Sequence, residues 1–116
     1  MSEKILLVEG DPDIRKILEA ALTLSEYNVT PATNGLEGLS TASRQRFDLI
    51  ITDKIMPVMD GNQFIKELSK TPDPPPVIML TADSSAEIEP NSSVKVTCFQ
   101  PISILKILDV VKNVLK

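Results

Sequence analysis

The sequence predicts a doubly wound α/β fold around a parallel sheet, and three features carry that expectation. Short apolar runs rich in branched residues recur at Ile5–Val8, Leu49–Thr52 and Val77–Leu80. Unbroken runs of this kind suit strands buried on both faces, as in a parallel sheet. Helically spaced segments lie between them, so that β-α repeats about five times. Polar residues then fall where the strands end, which is where such sheets bind ligands.

Each element has its own signal. Asp11 and Pro12 supply an N-cap and a first-turn proline. Ile14, Ile17, Leu18, Ala21 and Leu22 follow with the i, i+3, i+4, i+7, i+8 spacing of one helix face. Val29–Ala32 reads as a second strand. Pro31 cannot donate to a ladder, which assigns that strand to a sheet edge. Asn34 is placed to cap a weak second helix around Leu36, Leu39 and Ala42, with Gly38 counting against it. After the third strand, Asp60-Gly61 turns into a third helix marked by Phe64, Ile65 and Leu68, which the prolines of "TPDPPP" terminate. Val77–Leu80 and Val94–Phe99 are the last two strands. The segment between them, "DSSAEIEPNSS" at 83–93, is polar and contains Pro90, so a helix there should be short, irregular or absent. The final helix should begin near Ser103. It is apolar at 102, 104, 105, 107, 108, 110, 111, 114 and 115, more than one buried stripe requires. A contact surface for a partner or second protomer, and simple deep packing, are both open readings of that surplus.

The 116 residues suit a single domain, 1–116, with a real core. The chain is 42% apolar and 24% charged, ordinary for a soluble globular protein. A net charge of −4 recommends neither nucleic acid nor an anionic membrane as a partner. With no histidine and a single cysteine, Cys98, common zinc sites and a disulfide framework are excluded. Cys98 lies in an apolar stretch and reads as an inert core thiol. There is no run of about 18 apolar residues for a membrane span. The opening "MSEK" has no signal-peptide character, and a reducing cytoplasm fits best.

The polar strand ends are Glu9-Gly10-Asp11, Asp53, Thr81 and Gln100. A carboxylate such as Asp53 can be a nucleophile toward phosphorus, a metal ligand or a strand-end cap. Phosphoryl transfer to it needs a divalent cation, a hydroxyl on the phosphoryl group and an opposing positive charge. Thr81 could supply the hydroxyl and Glu9 an acidic ligand through water. Asp11 is either an N-cap or a carboxylate that swings toward the metal, helped by glycine's flexibility at Gly10. Lys54 is either a phosphoryl contact or an exposed loop lysine.

The stretches "ILLVEGDPDIRKIL", "DLIITDKIMPVMDG", "VIMLTA" and "CFQPI" together resemble the receiver domain of two-component response regulators, the chemotaxis type included. The match spans essentially the whole chain, and "D-x-x-M-P-x-M-D-G" at 53–61 is its most specific part. The resemblance implies a flavodoxin-like sheet of order 2-1-3-4-5, Asp53 as phospho-acceptor and Thr81 as switch hydroxyl. It also implies Mg²⁺ held by Glu9, Asp53 and the Ile55 carbonyl. The implied partners are a sensor histidine kinase or phosphotransfer protein upstream, and a protein target or homodimer through the C-terminal region downstream.

Several positions depart from the family pattern. Its second acid, usually the direct metal ligand, maps onto Gly10. Its lysine maps onto Gln100, its aromatic toggle onto Thr97, and the segment from Thr81 to Gln100 is short. A cation that prefers six oxygens is therefore short of donors, and weak or absent Mg²⁺ binding is expected. Gln100 can donate a hydrogen bond worth about 1 kcal/mol net. It cannot supply a charge–charge attraction of roughly 4 kcal/mol at 4 Å under an effective dielectric of 20. The sequence thus points to a receiver with impaired phosphorylation, or to a phosphorylation-independent interaction module. An aspartate phosphohydrolase is a weaker alternative, because it would want a second acid where Ile55 stands. A flavin or nucleotide module lacks the phosphate-binding first loop.

Overall fold

The computed structural model describes residues 2–82, 91–100 and 103–116. The strands are β1 (Lys4–Val8), β2 (Asn28–Ala32), β3 (Leu49–Asp53), β4 (Val77–Thr81) and β5 (Val94–Phe99). The helices are α1 (Pro12–Leu24), α2 (Gly35–Arg44), α3 (Gly61–Leu68) and α4 (Ile104–Leu115). All five strands are parallel in the order β2-β1-β3-β4-β5, as the sequence led us to expect. The helix expected within 83–93 concerns residues of which 83–90 lie outside those described. Among the described residues no helix is long and apolar enough to cross a membrane.

The three inner strands are buried on both faces, and alternation along them divides the core in two. Ile5, Leu7, Leu49, Ile51, Ile78 and Leu80 face Leu18 and Leu22 of α1 and Ile107 and Val111 of α4. Leu6, Val8, Ile50 and Met79 face Phe64, Ile65 and Leu68 of α3. Cys98 is buried in the first layer, and burial raises its thiol pKa, in keeping with an inert core role. Pro31 pairs with Leu7 on the outer strand β2, where a missing amide breaks no inner ladder.

Two helix faces differ from the periodic reading. Ile17 belongs to the apolar spacing of α1 yet is 56% exposed. In α2 the buried positions are Gly35, Gly38 and Thr41, and Leu36 is exposed. Gly38 is therefore the contact residue rather than a weakness. A Cβ there would come within 2.9 Å of Val8 Cγ2 and 3.3 Å of the Phe64 ring. On α4 the surplus apolar residues are largely absorbed: Ile107, Val110 and Val111 are buried, and Ile104, Leu108, Val114 and Leu115 pack against the same layer. Leu105 alone among its described apolar residues stands clear, at 79% exposure.

Gly38→Ala separates helix propensity from packing. In an open helix the change would stabilise by up to about 1 kcal/mol. Against Val8 and Phe64 it should instead destabilise by about 1–2 kcal/mol, as overpacking does. Urea denaturation should show a lower midpoint with an unchanged slope.

Candidate functional site

Strand register assembles the site. Val8 pairs with Thr52, so Glu9 and Asp53 emerge side by side from β1 and β3. Asp53 pairs with Leu80 and Thr81 with Phe99, which brings Thr81 and Gln100 to the same end of the sheet. The Gln100 amide N–H donates to the Thr81 carbonyl at 2.7 Å. The strand ends predicted to converge do so, and the backbone of the inner sheet holds them there.

Glu9 is almost fully buried, at 1% exposure. Its amide donates to the Ala32 carbonyl at 3.0 Å, and its own carbonyl accepts from Arg15 Nη1 at 2.8 Å. Oε1 accepts from the Asp11 amide at 3.0 Å, while Oε2 is buried and meets no donor. The adjacent Asp53 carboxyl can bond it only by carrying a proton. Burial raises the Glu9 pKa from 4.5 to about 7, with the Asp53 and Asp11 charges adding to the effect and the Asp11 amide opposing it. Burial also raises the pKa of half-buried Asp53, against the lowering effect of Glu9 and of the Lys54 and Ile55 amides. Near neutral pH the pair therefore holds a proton for part of the time.

Gly10 is not imposed by the backbone, since no glycine has positive φ. A Cβ at Gly10 would lie 3.5 Å from Pro57 Cδ and from the Thr33 carbonyl oxygen, and 4.0 Å from Met56 Cγ. These are ordinary contacts, so the backbone leaves room for a Cβ. Asp11 is exposed and occupied as the N-cap of α1, with Oδ1 accepting from the Asp13 amide at 2.8 Å and the Ile14 amide at 3.2 Å. Its charge also raises the carboxyl pKa values of Glu9 and Asp53. The unpartnered Glu9 Oε2 beside Asp53 fits a small, oxygen-seeking cation in kind. Side-chain donors are few: among the described residues no three acid, histidine or cysteine side chains gather as a metal-holding group, which leaves two carboxyls, a backbone carbonyl and water.

Around this pair, Thr81 is fully buried and Gln100 half-buried. Gln100 lines a groove with Ile14, Ile17 and Ile104. Thr97 is half-buried on β5 opposite Met79. The exposed aromatic on that edge is Phe99, two residues on and so on the same face, at 48% exposure. Lys54 is half-buried rather than exposed, and its amide donates to the Leu80 carbonyl at 2.8 Å.

Arg15 and Val58 were not foreseen, and Gly61, read as a turn residue, has a closer role than that. Arg15 anchors the β1–α1 turn, a role its place one helical turn after the cap could have suggested. Gly61 donates its amide to the Lys54 carbonyl at 2.7 Å, and any Cβ there would overlap the Asp53 carbonyl oxygen. Val58, 74% exposed, sits at φ 72°, and the Met59 amide donates to the Pro57 carbonyl at 2.8 Å. That is the uncommon γ-turn with positive central φ, strained for a β-branched residue.

Two outcomes are expected from this geometry. Val58→Gly should raise stability by about 1 kcal/mol in a chemical melt, by releasing the positive-φ strain. The second outcome follows from the sign of the Glu9 shift. A raised carboxyl pKa favours the folded state below pH 4.5, and that contribution is lost as pH rises through about 7. Unfolding titrations at pH 5 and pH 8 should therefore show the parent losing up to about 3 kcal/mol relative to Glu9→Gln. A gap that narrows with pH would contradict the assigned proton.

Comparison with known proteins fits this architecture. A family model described as the response regulator receiver domain matches residues 5–96. The transcriptional regulatory protein GlrR of Escherichia coli is 43% identical over 81 residues, covering 70% of this chain and 18% of its own length. The chain thus spans a minor part of that relative. Among solved structures, the chemotaxis response regulator CheY4 of Vibrio cholerae is 30% identical with a TM-score of 0.85, covering 98% of this chain and 99% of its own. The receiver domain of the sensor histidine kinase PA1611 from Pseudomonas aeruginosa, with a magnesium ion coordinated in its active site cleft, is 25% identical with a TM-score of 0.89. Coverage there is 99% of this chain and 98% of that one. By sequence model and by fold, the chain belongs to the response regulator receiver domain family of two-component systems.

Proposed function

We propose that residues 1–116 form one receiver unit that works as a protein-interaction switch, with Asp53 as phospho-acceptor and an impaired Mg²⁺-dependent phosphorylation step. The observation that carries this reading is the buried, unpartnered Glu9 Oε2 beside Asp53, with Gly10 at the next position. Glu9, Asp53 and the Ile55 carbonyl would hold the cation, and water would complete its shell. When bound, Mg²⁺ supplies neutralisation of phosphoryl oxygens during transfer. The residues themselves do the rest. Asp53 offers its carboxylate as nucleophile, and the Thr81 hydroxyl contacts the transferred group. The proton shared by Glu9 and Asp53 opposes both metal binding and attack.

The readout of such a site would be weak. Gln100 and Thr97 leave coupling to one or two neutral hydrogen bonds, each worth about 1 kcal/mol. Moving a two-state element from 1:99 to 99:1 requires about 5.5 kcal/mol of differential binding. A sensor histidine kinase or phosphotransfer protein would be the phosphoryl source. A protein target or second copy would read the surface of β5 and α4, where Phe99 and Leu105 are exposed. Any DNA contact would belong to other segments, since this chain carries a net charge of −4. The cytoplasm is the compartment that suits such partners.

A second reading, a module that signals without phosphorylation, is favoured by the pairing of two carboxyls with raised pKa that form no salt bridge among the described residues. Receiver domains are signalling modules. The phosphohydrolase alternative is weakened by Ile55, an exposed aliphatic residue where that chemistry wants an acid.

Intact mass after treatment with acetyl phosphate and Mg²⁺ should show slow, partial addition of one phosphoryl group, abolished in Asp53→Asn. Gly10→Asp should speed addition roughly tenfold, the worth of about 1.4 kcal/mol. Rapid, complete addition by the parent at millimolar Mg²⁺ would remove the impairment from this reading. With beryllofluoride and Mg²⁺, amide chemical shifts on β5 and α4 should change little in the parent. They should change more when Gly10→Asp and Gln100→Lys are combined.

A further inference from the structure

We propose that Gly35, the first residue of α2, is a positioning residue for the candidate cation site. Acting through Met59, it sets where the segment joining β3 to α3 lies, and with it the Ile55 carbonyl. This role rests on the proposed reading in which Glu9, Asp53 and that carbonyl hold Mg²⁺. The segment runs from Lys54 to Asp60 and is tied at both ends. At its start the Lys54 amide donates to the Leu80 carbonyl at 2.8 Å, and the Ile55 amide bonds the Asp53 carboxyl. At its far end the Gly61 amide donates back to the Lys54 carbonyl at 2.7 Å. Between these ties, the Gly35 amide donates to the Met59 carbonyl at 3.2 Å.

That contact exists because Gly35 has no side chain. A Cβ there would stand 2.5 Å from the Met59 carbonyl oxygen and 3.0 Å from Met59 Cβ and Cγ. The first distance is closer than carbon and oxygen approach, and the obstacle is backbone, which no side-chain rotation removes. Gly35 does not have a positive φ, so the position demands space rather than an unusual backbone. The α2 side of the contact is held in place. Asn34 Oδ1 accepts from the Glu37 amide at 2.9 Å, and Thr33 Oγ1 donates to Glu37 Oε2 at 2.6 Å, which fixes the start of the helix. Gly38, one turn later, is seated on Val8 and Phe64. A side chain at position 35 is therefore accommodated by displacing the loop. A cation that takes its oxygens at about 2.0–2.1 Å in near-octahedral order tolerates little displacement of a donor.

The test uses Mn²⁺ on the ¹⁵N-labelled full chain, because Mn²⁺ takes carboxylate and carbonyl oxygens as Mg²⁺ does and broadens nearby amide signals even when binding is weak. In the parent, the amides of Glu9, Asp53 and Ile55 should broaden saturably. Gly35→Ala should weaken that binding by about tenfold or more and shift the amides of residues 54–60. Gly38→Ala is the control, a destabilising change on the same helix whose nearest atoms belong to Val8 and Phe64, and it should leave Mn²⁺ binding unchanged. Adding Met59→Ala to Gly35→Ala should not restore binding, since the obstructing atom is the Met59 carbonyl oxygen. A Mg²⁺ titration of the parent needs no variant: the Gly35 amide should shift along the same isotherm as that of Ile55. The proposal is overturned if Gly35→Ala binds Mn²⁺ as the parent does, if Gly38→Ala weakens it equally, if Met59→Ala restores it, or if the Gly35 amide stays still while the site titrates. A parent in which Glu9, Asp53 and Ile55 do not broaden overturns the cation reading itself and this role with it, a failure distinct from unchanged binding in Gly35→Ala.

Discussion

The register of β1 against β3 is the constraint from which the rest follows. Both strands are buried on each face, so neither can slip by one residue without turning its apolar set the wrong way. With Val8 fixed beside Thr52, the next residue on each strand is an acid. Two carboxyls are thereby held together by hydrophobic packing that has no stake in their charge. The energy of the core is large compared with the electrostatic penalty at its rim, and the penalty appears as raised carboxyl pKa values rather than as a displaced strand.

Most of the fold was legible in the sequence because it rests on short-range signals. Branched runs marked the inner strands, and Asp11, Asn34, Asp60 and Ser103 all cap the helices they precede. Pro31 identified an edge before any order was known. Two readings failed because periodicity reports which residues are apolar, not which positions become buried. Gly38 looked like a weak point and is the place where α2 touches Val8 and Phe64. Ile17 looked buried and is 56% exposed.

The candidate site was legible in its membership but not in its state. Glu9, Asp53, Thr81 and Gln100 could be named from strand ends alone. The unpartnered Oε2, the commitment of Asp11 to capping and the place of Gln100 in a groove depend on side-chain packing, which no motif encodes. The γ-turn at Val58 is a similar case. Its motif position is variable in the pattern "D-x-x-M-P-x-M-D-G", and only the backbone reveals that a β-branched residue there is strained.

The open surroundings of Gly10 bear on the history of the site. The space beside Pro57 and Met56 admits a Cβ with ordinary contacts, so the backbone itself does not demand glycine. Half of the glycine codons lie one base from an aspartate codon, and every glutamine codon lies one base from a lysine codon. The site therefore stands a few point mutations from a fully charged form. A receiver built like this can pass between phosphate-driven and phosphate-independent use over short evolutionary distances while its core stays unchanged.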